Sequence, residues 1–278
     1  MAPGGKVTHM GVGAEVVGLT KSFNGGRPVW SDVTFTIPAG DITVLLGPSG
    51  TGKSVFLKTL IGLLRPDTGK VYIDNQDITS MGDRDLYAMR QRCGVLFQDG
   101  ALFGSMNLYD NIAFPLREHT RKPEREIRRI VMELMDLVGL SGDDDKLPAE
   151  ISGGMRKRAG LARALVMNPE LILCDEPDSG LDPVRTAHLS KLIAELNAET
   201  GATFLIVTHD INTARTLPDH IGMLYLRELI AFGSRDDILA SEEPVVKQFL
   251  NAALDGPIGM SEERDAVDPI PHEFGAAQ

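Results

Sequence analysis

The residues best suited to chemistry form a glycine-rich stretch that follows a short apolar run and precedes a helical pattern. This context is the one that a phosphate-binding loop requires, because glycines let backbone N–H groups wrap phosphates and the helix N-terminus adds a favourable dipole. Lys53 is placed to bind β- and γ-phosphates, and Ser54 to bind Mg²⁺. A plain glycine-rich turn would leave the Lys53-Ser54 pair unexplained. The stretch consists of Gly47, Pro48, Ser49, Gly50, Thr51, Gly52, Lys53 and Ser54.

Two acids, Asp175 and Glu176, follow the apolar run 171–174. In phosphate-loop enzymes an acid at the end of a buried strand holds Mg²⁺, which is the role we predict for Asp175. Glu176 is then placed to polarise an attacking water. Acidic pairs at strand ends are common on protein surfaces, so this pair becomes informative only because the phosphate loop precedes it in the chain.

Two further polar side chains follow strand-like apolar runs. His209 comes after the run 203–207, and Gln98 ends the run 94–97. A lone histidine is more often structural than catalytic. Ligands bind at the carboxyl ends of strands in open α/β sheets, however, and this position favours a functional His209. Gln98 taken alone is a surface glutamine, and only the ordered set of motifs gives it a role.

The element Ser152-Gly153-Gly154 lies in the chain between the phosphate loop and the acidic pair. It is much rarer among nucleotide-hydrolysing enzymes than the loop or the acidic strand end. We interpret it as a second phosphate-binding surface that a second copy of the protein completes.

Strand and helix patterns alternate along the chain, which predicts an α/β fold with a mostly parallel sheet. Continuous apolar runs are typical of buried parallel strands, and three- and four-residue spacings of amphipathic helices. The block 99–161 reads as a helical insertion in that core. A short amphipathic stretch, 245–250, follows near the end. Predicted strands are 15–19, 33–37, 42–46, 71–74, 94–97, 171–174 and 203–207, and predicted helices 53–64, 124–140 and 183–199.

Composition limits the partners that the chain can have. The 278 residues are enough for a full core, and the formal net charge is −11 with no basic block, which argues against nucleic-acid binding. Cys93 and Cys174 both lie in strand-like runs, so we expect two buried thiols in a reducing compartment. Neither a signal peptide nor an apolar run long enough to cross a membrane is visible, so any membrane role is expected to come through a partner.

The ordered motifs resemble those of ABC-transporter ATPase subunits over about residues 14–235. The motifs are the phosphate loop, Gln98, Ser152-Gly153-Gly154, Asp175-Glu176, Ser179-Gly180-Leu181-Asp182 and His209. The resemblance implies an ABC ATPase fold: a RecA-like, mostly parallel sheet core, an N-terminal antiparallel β subdomain and an inserted α-helical subdomain at about 99–161. Residues 1–13 would be a flexible N-terminus and 236–278 an acidic C-terminal extension.

The resemblance also implies roles for single residues, with ATP and Mg²⁺ as cofactors. Phe23 would stack on adenine, and Glu176 would act as general base. His209 would contact the γ-phosphate. Gln98 would sense Mg²⁺ and the attacking water and link them to a transmembrane partner. Asp182 would couple the two sites of a dimer.

In such a dimer, Ser152, Gly153 and Gly154 would contact the γ-phosphate held by the opposite subunit. The inserted helices would dock on a transmembrane permease. The protein would then lie at the cytoplasmic face of the inner or plasma membrane, bound to the membrane only through that permease.

Two positions depart from the commonest family pattern. Met155 stands where most members have Gln, and Val55 where Thr often follows the metal-binding serine. The resemblance implies that both positions line bound nucleotide, Met155 that of the opposite subunit and Val55 near the α-phosphate. Both departures, with the segment 97–118, are similar to the ATPases of the Mla and Mce lipid-transport systems. Further details resemble most the ATPase of actinobacterial Mce importers: Asp99, Ser105, Lys157-Arg158, Asp178-Ser179-Gly180 and Pro257-Ile258-Gly259-Met260. This branch implies Mce- or Mla-type substrate-binding partners and a tail that reaches the neighbouring subunit.

Other functions compatible with these motifs stay open. A soluble ABC-type ATPase could act as an assembly scaffold, as in iron–sulfur biogenesis, or in translation or DNA repair. Translation factors usually carry two cassettes, and repair relatives interrupt theirs with long heptads, neither of which is present here. An importer ATPase for amino acids or ions differs mainly in cargo, on which the ATPase sequence carries almost no information.

Overall fold

Two β-sheets organise the part of the chain that the computed structural model describes, residues 11–259. The strands are β1 Ala14–Ser22, β2 Pro28–Ile37, β3 Ile42–Leu46, β4 Thr68–Ile73, β5 Gln76–Asp77, β6 Cys93–Leu96, β7 Leu171–Asp175, β8 Thr203–Thr208, β9 His220–Tyr225 and β10 Glu228–Ser234. The helices are α1 Lys53–Leu60, α2 Asp83–Gln91, α3 Leu108–His119, α4 Glu124–Leu137, α5 Gly153–Leu165, α6 Pro183–Thr200, α7 Ile211–Thr216, α8 Arg235–Leu239 and α9 Pro244–Leu250.

The larger sheet has the strand order β10-β9-β3-β8-β7-β6, and all neighbours except β10 and β9 are parallel. Strands β3, β7 and β8 are buried along their whole length, as their continuous apolar runs predict. Helix α1 packs on one face of the sheet and α6 on the other. Because β3, β6, β7 and β8 run the same way, the residues that follow them meet at one edge of the sheet.

The smaller sheet is antiparallel and has the order β2-β1-β4-β5. Val16 and Leu19 of β1, which lie on either side of a register shift, and Trp30 of β2 are buried in a core shared with Phe56 of α1. The indole of Trp30 packs edge-on against the Phe56 ring, with 6.1 Å between ring centroids. This sheet therefore braces the helix that follows the phosphate loop.

Helices α3, α4 and α5 form the inserted helical unit between β6 and β7, and they share a separate hydrophobic cluster. Its core includes Ile112 of α3 and Val131 and Met135 of α4. Helix α5 packs on this unit and also on the parallel sheet, because its Leu161 belongs to the sheet cluster. Among the residues described, no helix combines the length and hydrophobicity that crossing a lipid bilayer requires.

Several element boundaries differ from the sequence prediction for local reasons. The helix predicted at 53–64 ends at Leu60, where Gly62 adopts φ +64° and Pro66 follows. The helix predicted at 124–140 ends at Leu137, before Gly139 at φ +65°. Helices α2, α7 and α8 and strands β9 and β10 were not predicted. Cys174 is fully buried, Cys93 packs partly buried against the core, and burial raises the pKa of both thiols to about 12, as expected for two buried thiols.

The amphipathic stretch near the end of the chain is helix α9, and it packs on the sheet cluster through Val245, Val246 and Leu250. Beyond it, the Gln248 side chain accepts a hydrogen bond from the Ile258 N–H (2.6 Å) and donates one to the Ile258 carbonyl (3.0 Å). The first ten residues of the predicted flexible N-terminus, and residues 260–278 of the predicted acidic extension, lie outside the described residues.

Candidate active site

The phosphate loop connects β3 to α1 and turns through glycines with positive φ, among them Gly50 at +92° and Gly52 at +82°. Gly52 has a second reason to lack a side chain, because a β-carbon there would lie 2.1 Å from Val29 Cγ1. Lys53 is 5% exposed, and its Nζ donates to the Gly47 carbonyl (2.7 Å) and the Pro48 carbonyl (2.8 Å). The backbone thus forms a cradle at a helix N-terminus with the ammonium inside it, which fits a nucleotide phosphate chain.

Ser54 and Asp175 face each other where the loop helix meets the end of β7. The Ser54 hydroxyl donates to Asp175 Oδ1 at 2.8 Å. Burial raises the pKa of the Asp175 carboxyl, and the hydrogen bond from Ser54 opposes that rise. A hydroxyl and a carboxylate are hard oxygen ligands, and a poorly solvated carboxylate gains from a nearby cation. The pair therefore fits Mg²⁺, as the sequence predicts for both residues.

Glu176, Gln98 and His209 form one cluster, although they follow three different strands. Gln98 Nε2 donates to Glu176 Oε2 at 3.4 Å, and His209 Nδ1 lies 3.2 Å from Glu176 Oε1. Glu176 itself has φ +45°, a left-handed conformation unusual for a residue with a side chain. Its half-buried carboxylate, beside two polar side chains, is suited to accept a proton from water.

Ser152, Gly153 and Gly154 stand apart from this cluster, at the start of α5. Ser152 caps the helix, accepting a hydrogen bond from the Met155 N–H at 3.3 Å. Ser152 and Gly153 are exposed, whereas Met155 is half-buried against the cluster of the inserted helices. The exposed N-terminus of a 13-residue helix offers backbone N–H groups to an anion from outside the chain.

Asp182 and Phe23 also lie on the surface. Asp182 caps α6, accepting from the Val184 N–H (3.1 Å) and the Arg185 N–H (3.0 Å). These hydrogen bonds, with the Arg185 charge, lower the pKa of its carboxyl. Phe23 follows β1 and exposes its ring, with Lys21 Nζ 5.5 Å from the ring centroid. Val55 follows Ser54 in the first turn of α1 and is half-buried against the core that contains Trp30.

Two buried charged residues near Glu176 were not assigned a role from the sequence. Lys157 of α5 donates to the backbone carbonyls of Glu176, at 3.0 Å, and of Ser179. Asp178 accepts hydrogen bonds from the hydroxyls of Thr208 and Thr213, both at about 2.8 Å. In the sequence, both residues counted only as details of the resemblance to the Mce branch, which gave neither of them a role.

One edge of the parallel sheet holds a phosphate-binding loop, a serine–aspartate pair that fits Mg²⁺, and the Glu176 carboxylate with its two polar partners. This combination defines a nucleotide-hydrolysing enzyme. The family model described as "ABC transporter" matches residues 30–179. The chain therefore belongs to the ABC transporter ATPase family. It binds ATP together with Mg²⁺ and hydrolyses ATP, and it is a subunit of an ATP-driven transporter. The cofactor and activity predictions are thereby confirmed.

Curated relatives carry names that point to different cargoes. The chain is 68% identical over 256 residues to the "Probable ribonucleotide transport ATP-binding protein mkl" of Mycobacterium tuberculosis, covering 92% of this chain and 71% of the relative. It is 42% identical over 234 residues to the "Intermembrane phospholipid transport system ATP-binding protein MlaF" of Escherichia coli, covering 84% and 87%.

Solved structures with the same fold are ATP-binding cassettes. The dimeric post-hydrolysis structure of the cassette MJ0796 with ADP and Pi has a TM-score of 0.75 and 31% identity, over 80% of this chain and 98% of that one. CbiO1 of Clostridium perfringens, part of the transporter complex cbiONQ, has a TM-score of 0.75 and 30% identity, over 85% and 94%. These similarities confirm the predicted α/β ABC ATPase fold.

Proposed function

We propose that the chain powers a lipid transporter of the Mce or Mla type. Two arguments support lipid as cargo: the 42% identity to a phospholipid-transport ATPase, and the resemblance of the Met155 and Val55 departures to those of that branch. The name of the mycobacterial relative supports a second candidate cargo, a ribonucleotide. In either case two copies would pair with transmembrane permease subunits at the cytoplasmic face of the membrane, with Mce- or Mla-type substrate-binding proteins in the lipid case.

Within one chain, the arrangement at the sheet edge supports a specific division of labour. Lys53 and the loop amides would hold the β- and γ-phosphates, and Ser54 and Asp175 would hold Mg²⁺, which would supply positive charge against the phosphates when bound. Glu176 takes a proton from the attacking water. His209 and Gln98, which contact opposite oxygens of the Glu176 carboxylate, orient it and reach the γ-phosphate and the metal.

In a dimer, the exposed N-terminus of α5 would supply a second set of contacts to the γ-phosphate of the opposite chain's ATP. Ser152, Gly153 and Gly154 bind the γ-phosphate held by the partner's loop, so each ATP lies between two chains. Asp182, exposed at the start of α6, couples the two sites, and Phe23 stacks on adenine. Nucleotide-driven closure would then move the inserted helices, which dock on the permease.

The observation that carries the mechanism is the contact of Glu176 with both Gln98 and His209, and Glu176→Gln tests it. The amide cannot accept the proton, so we expect ATP affinity within about twofold of the unmodified chain and turnover lowered at least 100-fold. Dimers should accumulate with ATP in size-exclusion chromatography. Glu195→Gln, on the exposed face of α6, is the matched control and should retain full turnover. Near-normal hydrolysis by Glu176→Gln would show that another group is the base.

The shared sites can be tested by mixing two inactive variants. Lys53→Ala removes the loop cation, and Ser152→Trp blocks the N-terminus of α5. A mixed dimer contains one site with both defects and one intact site, so mixing should restore measurable ATPase activity. If the two groups instead served the same ATP within one chain, every site would keep a defect and mixing would restore nothing.

The cargo requires the permease. Affinity capture of the chain from detergent-solubilised membranes should recover a polytopic permease with a lipid-binding partner. In proteoliposomes, ATPase activity of that complex should rise with phospholipid and stay constant with added ribonucleotides. Stimulation by ribonucleotides alone would favour the second candidate cargo, and recovery of soluble partners alone would favour an assembly scaffold.

A further inference from the structure

Lys157 is a buried cation that the proposed chemistry does not use. It lies on α5 and is 5% exposed. Its Nζ donates to two backbone carbonyls, those of Glu176 (3.0 Å) and Ser179. Within residues 11–259 it makes no salt bridge. Burial lowers its pKa, and the nearby charges of Asp178, Asp99 and Glu176 oppose that effect. Burying an ammonium group costs free energy, and here the group binds two carbonyls of one turn. This arrangement indicates that Lys157 fixes the conformation of that turn.

The turn that Lys157 holds carries Glu176 away from β7. The Ser179 N–H donates to the Glu176 carbonyl at 3.2 Å, which closes a four-residue turn with Pro177 at its second position. The Glu176 N–H donates to the Val207 carbonyl at 2.9 Å. The peptide groups on both sides of the Glu176 α-carbon are therefore held, one by β8 and the other by Lys157.

This restraint matters because Glu176 has φ +45°, a conformation that a residue with a side chain rarely adopts and that a residue before proline adopts still less readily. A rotation of either adjoining peptide group would swing its carboxylate away from Gln98 and His209. The other side of the turn is fixed as well, since Asp178 is bound to Thr208 and Thr213. From the inserted helical unit, the Lys157 side chain joins this framework through the Glu176 carbonyl.

We propose that Lys157 is a positioning residue for Glu176, and that it ties the orientation of this carboxylate to the position of α5. The inference rests on the proposed role of Glu176 as general base. Helix α5 begins with Ser152-Gly153-Gly154, one turn before Lys157. The same rigid helix therefore has one end available to a nucleotide bound by a second copy and the next turn bound to the base of its own site. When the N-terminus of α5 binds the ATP held by the second copy, any shift of α5 is transmitted through Lys157 to Glu176 of its own chain.

The test compares Lys157→Met, Lys157→Arg and, as a matched control, Lys191→Met on the exposed face of α6. Methionine keeps the buried stem and removes the donor. For Lys157→Met we expect kcat to fall about 10- to 100-fold, with KM for ATP and ATP affinity within about twofold, because the loop that binds ATP is not altered. Lys157→Arg retains donors for both carbonyls and should recover kcat to within about threefold of the unmodified chain. Lys191→Met should match the unmodified chain.

A second comparison separates positioning from packing. In the Glu176→Gln background, Lys157→Met should lower the residual rate by less than twofold. Lys157 acts on the rate only by positioning the base, and this background has no base to position. An equal proportional loss in both backgrounds, or a rise in KM at unchanged kcat, would overturn the proposal. If Lys157→Met does not fold by circular dichroism, Lys157→Leu takes its place: its side chain has no hydrogen-bond donor for either carbonyl, and an unchanged kcat would overturn the proposal as well. If Glu176→Gln itself hydrolyses ATP normally, the role of Glu176 fails, whereas loss there with normal turnover in Lys157→Met refutes only the inference about Lys157.

Discussion

The amide of Asn111 organises the segment that joins Gln98 to the inserted helices. Asn111 is fully buried on α3. Its Oδ1 accepts from the Phe103 N–H at 2.7 Å, and its Nδ2 lies within 3.1 Å of the carbonyls of Phe103, Met106 and Asn107. The Asn111 side chain therefore binds both N–H and carbonyl groups of the loop backbone that precedes α3. Asn111→Ala removes all of these contacts at once.

The expected loss of stability follows from counting these bonds. An asparagine amide has two N–H donors, so three of the four contacts can be made fully at one time. At about 1 kcal/mol net for each bond, Asn111→Ala should lower the free energy of unfolding by about 3 kcal/mol. Asn107→Ala, at the N-cap of the same helix, removes a single bond that the Asn107 side chain accepts from the Asp110 N–H (2.7 Å), and should cost about 1 kcal/mol.

Urea unfolding followed by far-UV circular dichroism measures both losses. The midpoint should fall about three times as far for Asn111→Ala as for Asn107→Ala, with the same dependence on urea, if both variants unfold in one transition. Equal losses for the two variants, or a loss below about 1 kcal/mol for Asn111→Ala, would refute the bond count. It would mean that water replaces the amide in the loop.

Three further predictions concern the sheet edge and its packing. Gly160→Ala should cost about 1–3 kcal/mol in the same urea assay, because its β-carbon would lie 2.9 Å from the Gly100 Cα, whereas Gly104→Ala, with open space around it, should cost far less. Ser54→Ala should raise the Mg²⁺ concentration for half-maximal ATPase activity about 10-fold or more, and an unchanged Mg²⁺ titration would remove Ser54 from the metal site. Burial raises the pKa of Asp178 above its ordinary 3.8, so its carboxyl stabilises the fold most at low pH, and that contribution is lost as pH rises through the folded pKa. Measured from about pH 4 to about pH 7, the free energy of unfolding should therefore fall less for Asp178→Asn than for the unmodified chain, and parallel curves would contradict the shift.

The convergence of Gln98, Glu176 and His209 could be predicted because it depends only on strand direction. Each follows an apolar run of the kind that forms buried parallel strands, and parallel strands place their carboxyl ends together. The phosphate loop was equally accessible, since its glycines and the Lys53-Ser54 pair are consecutive in the chain. Local sequence patterns were sufficient for this part of the site.

The contacts of Lys157 and Asp178 could not be predicted in the same way. Lys157 reaches the Glu176 carbonyl only because α5 packs against the sheet, and nothing in the spacing around Lys157 records that approach. Asp178 meets Thr208 and Thr213 across two separate segments. The ends of α1 and α4 were also missed, because apolar residues continue past the glycines that stop these helices. Tertiary packing decides such features, and local propensity does not record it.

The position of Trp30 gives the protein an optical property of its own. Trp30 is the single tryptophan of the chain, fully buried, and its Nε1 has no hydrogen-bond partner among residues 11–259. A β-carbon at Gly52 would lie 3.0 Å from the indole Cδ1, so the fluorophore lies directly against the phosphate loop. Its emission should be that of an apolar environment and should change when the loop backbone shifts. ATP titrations can thus be followed by intrinsic fluorescence, with no label and no substitution.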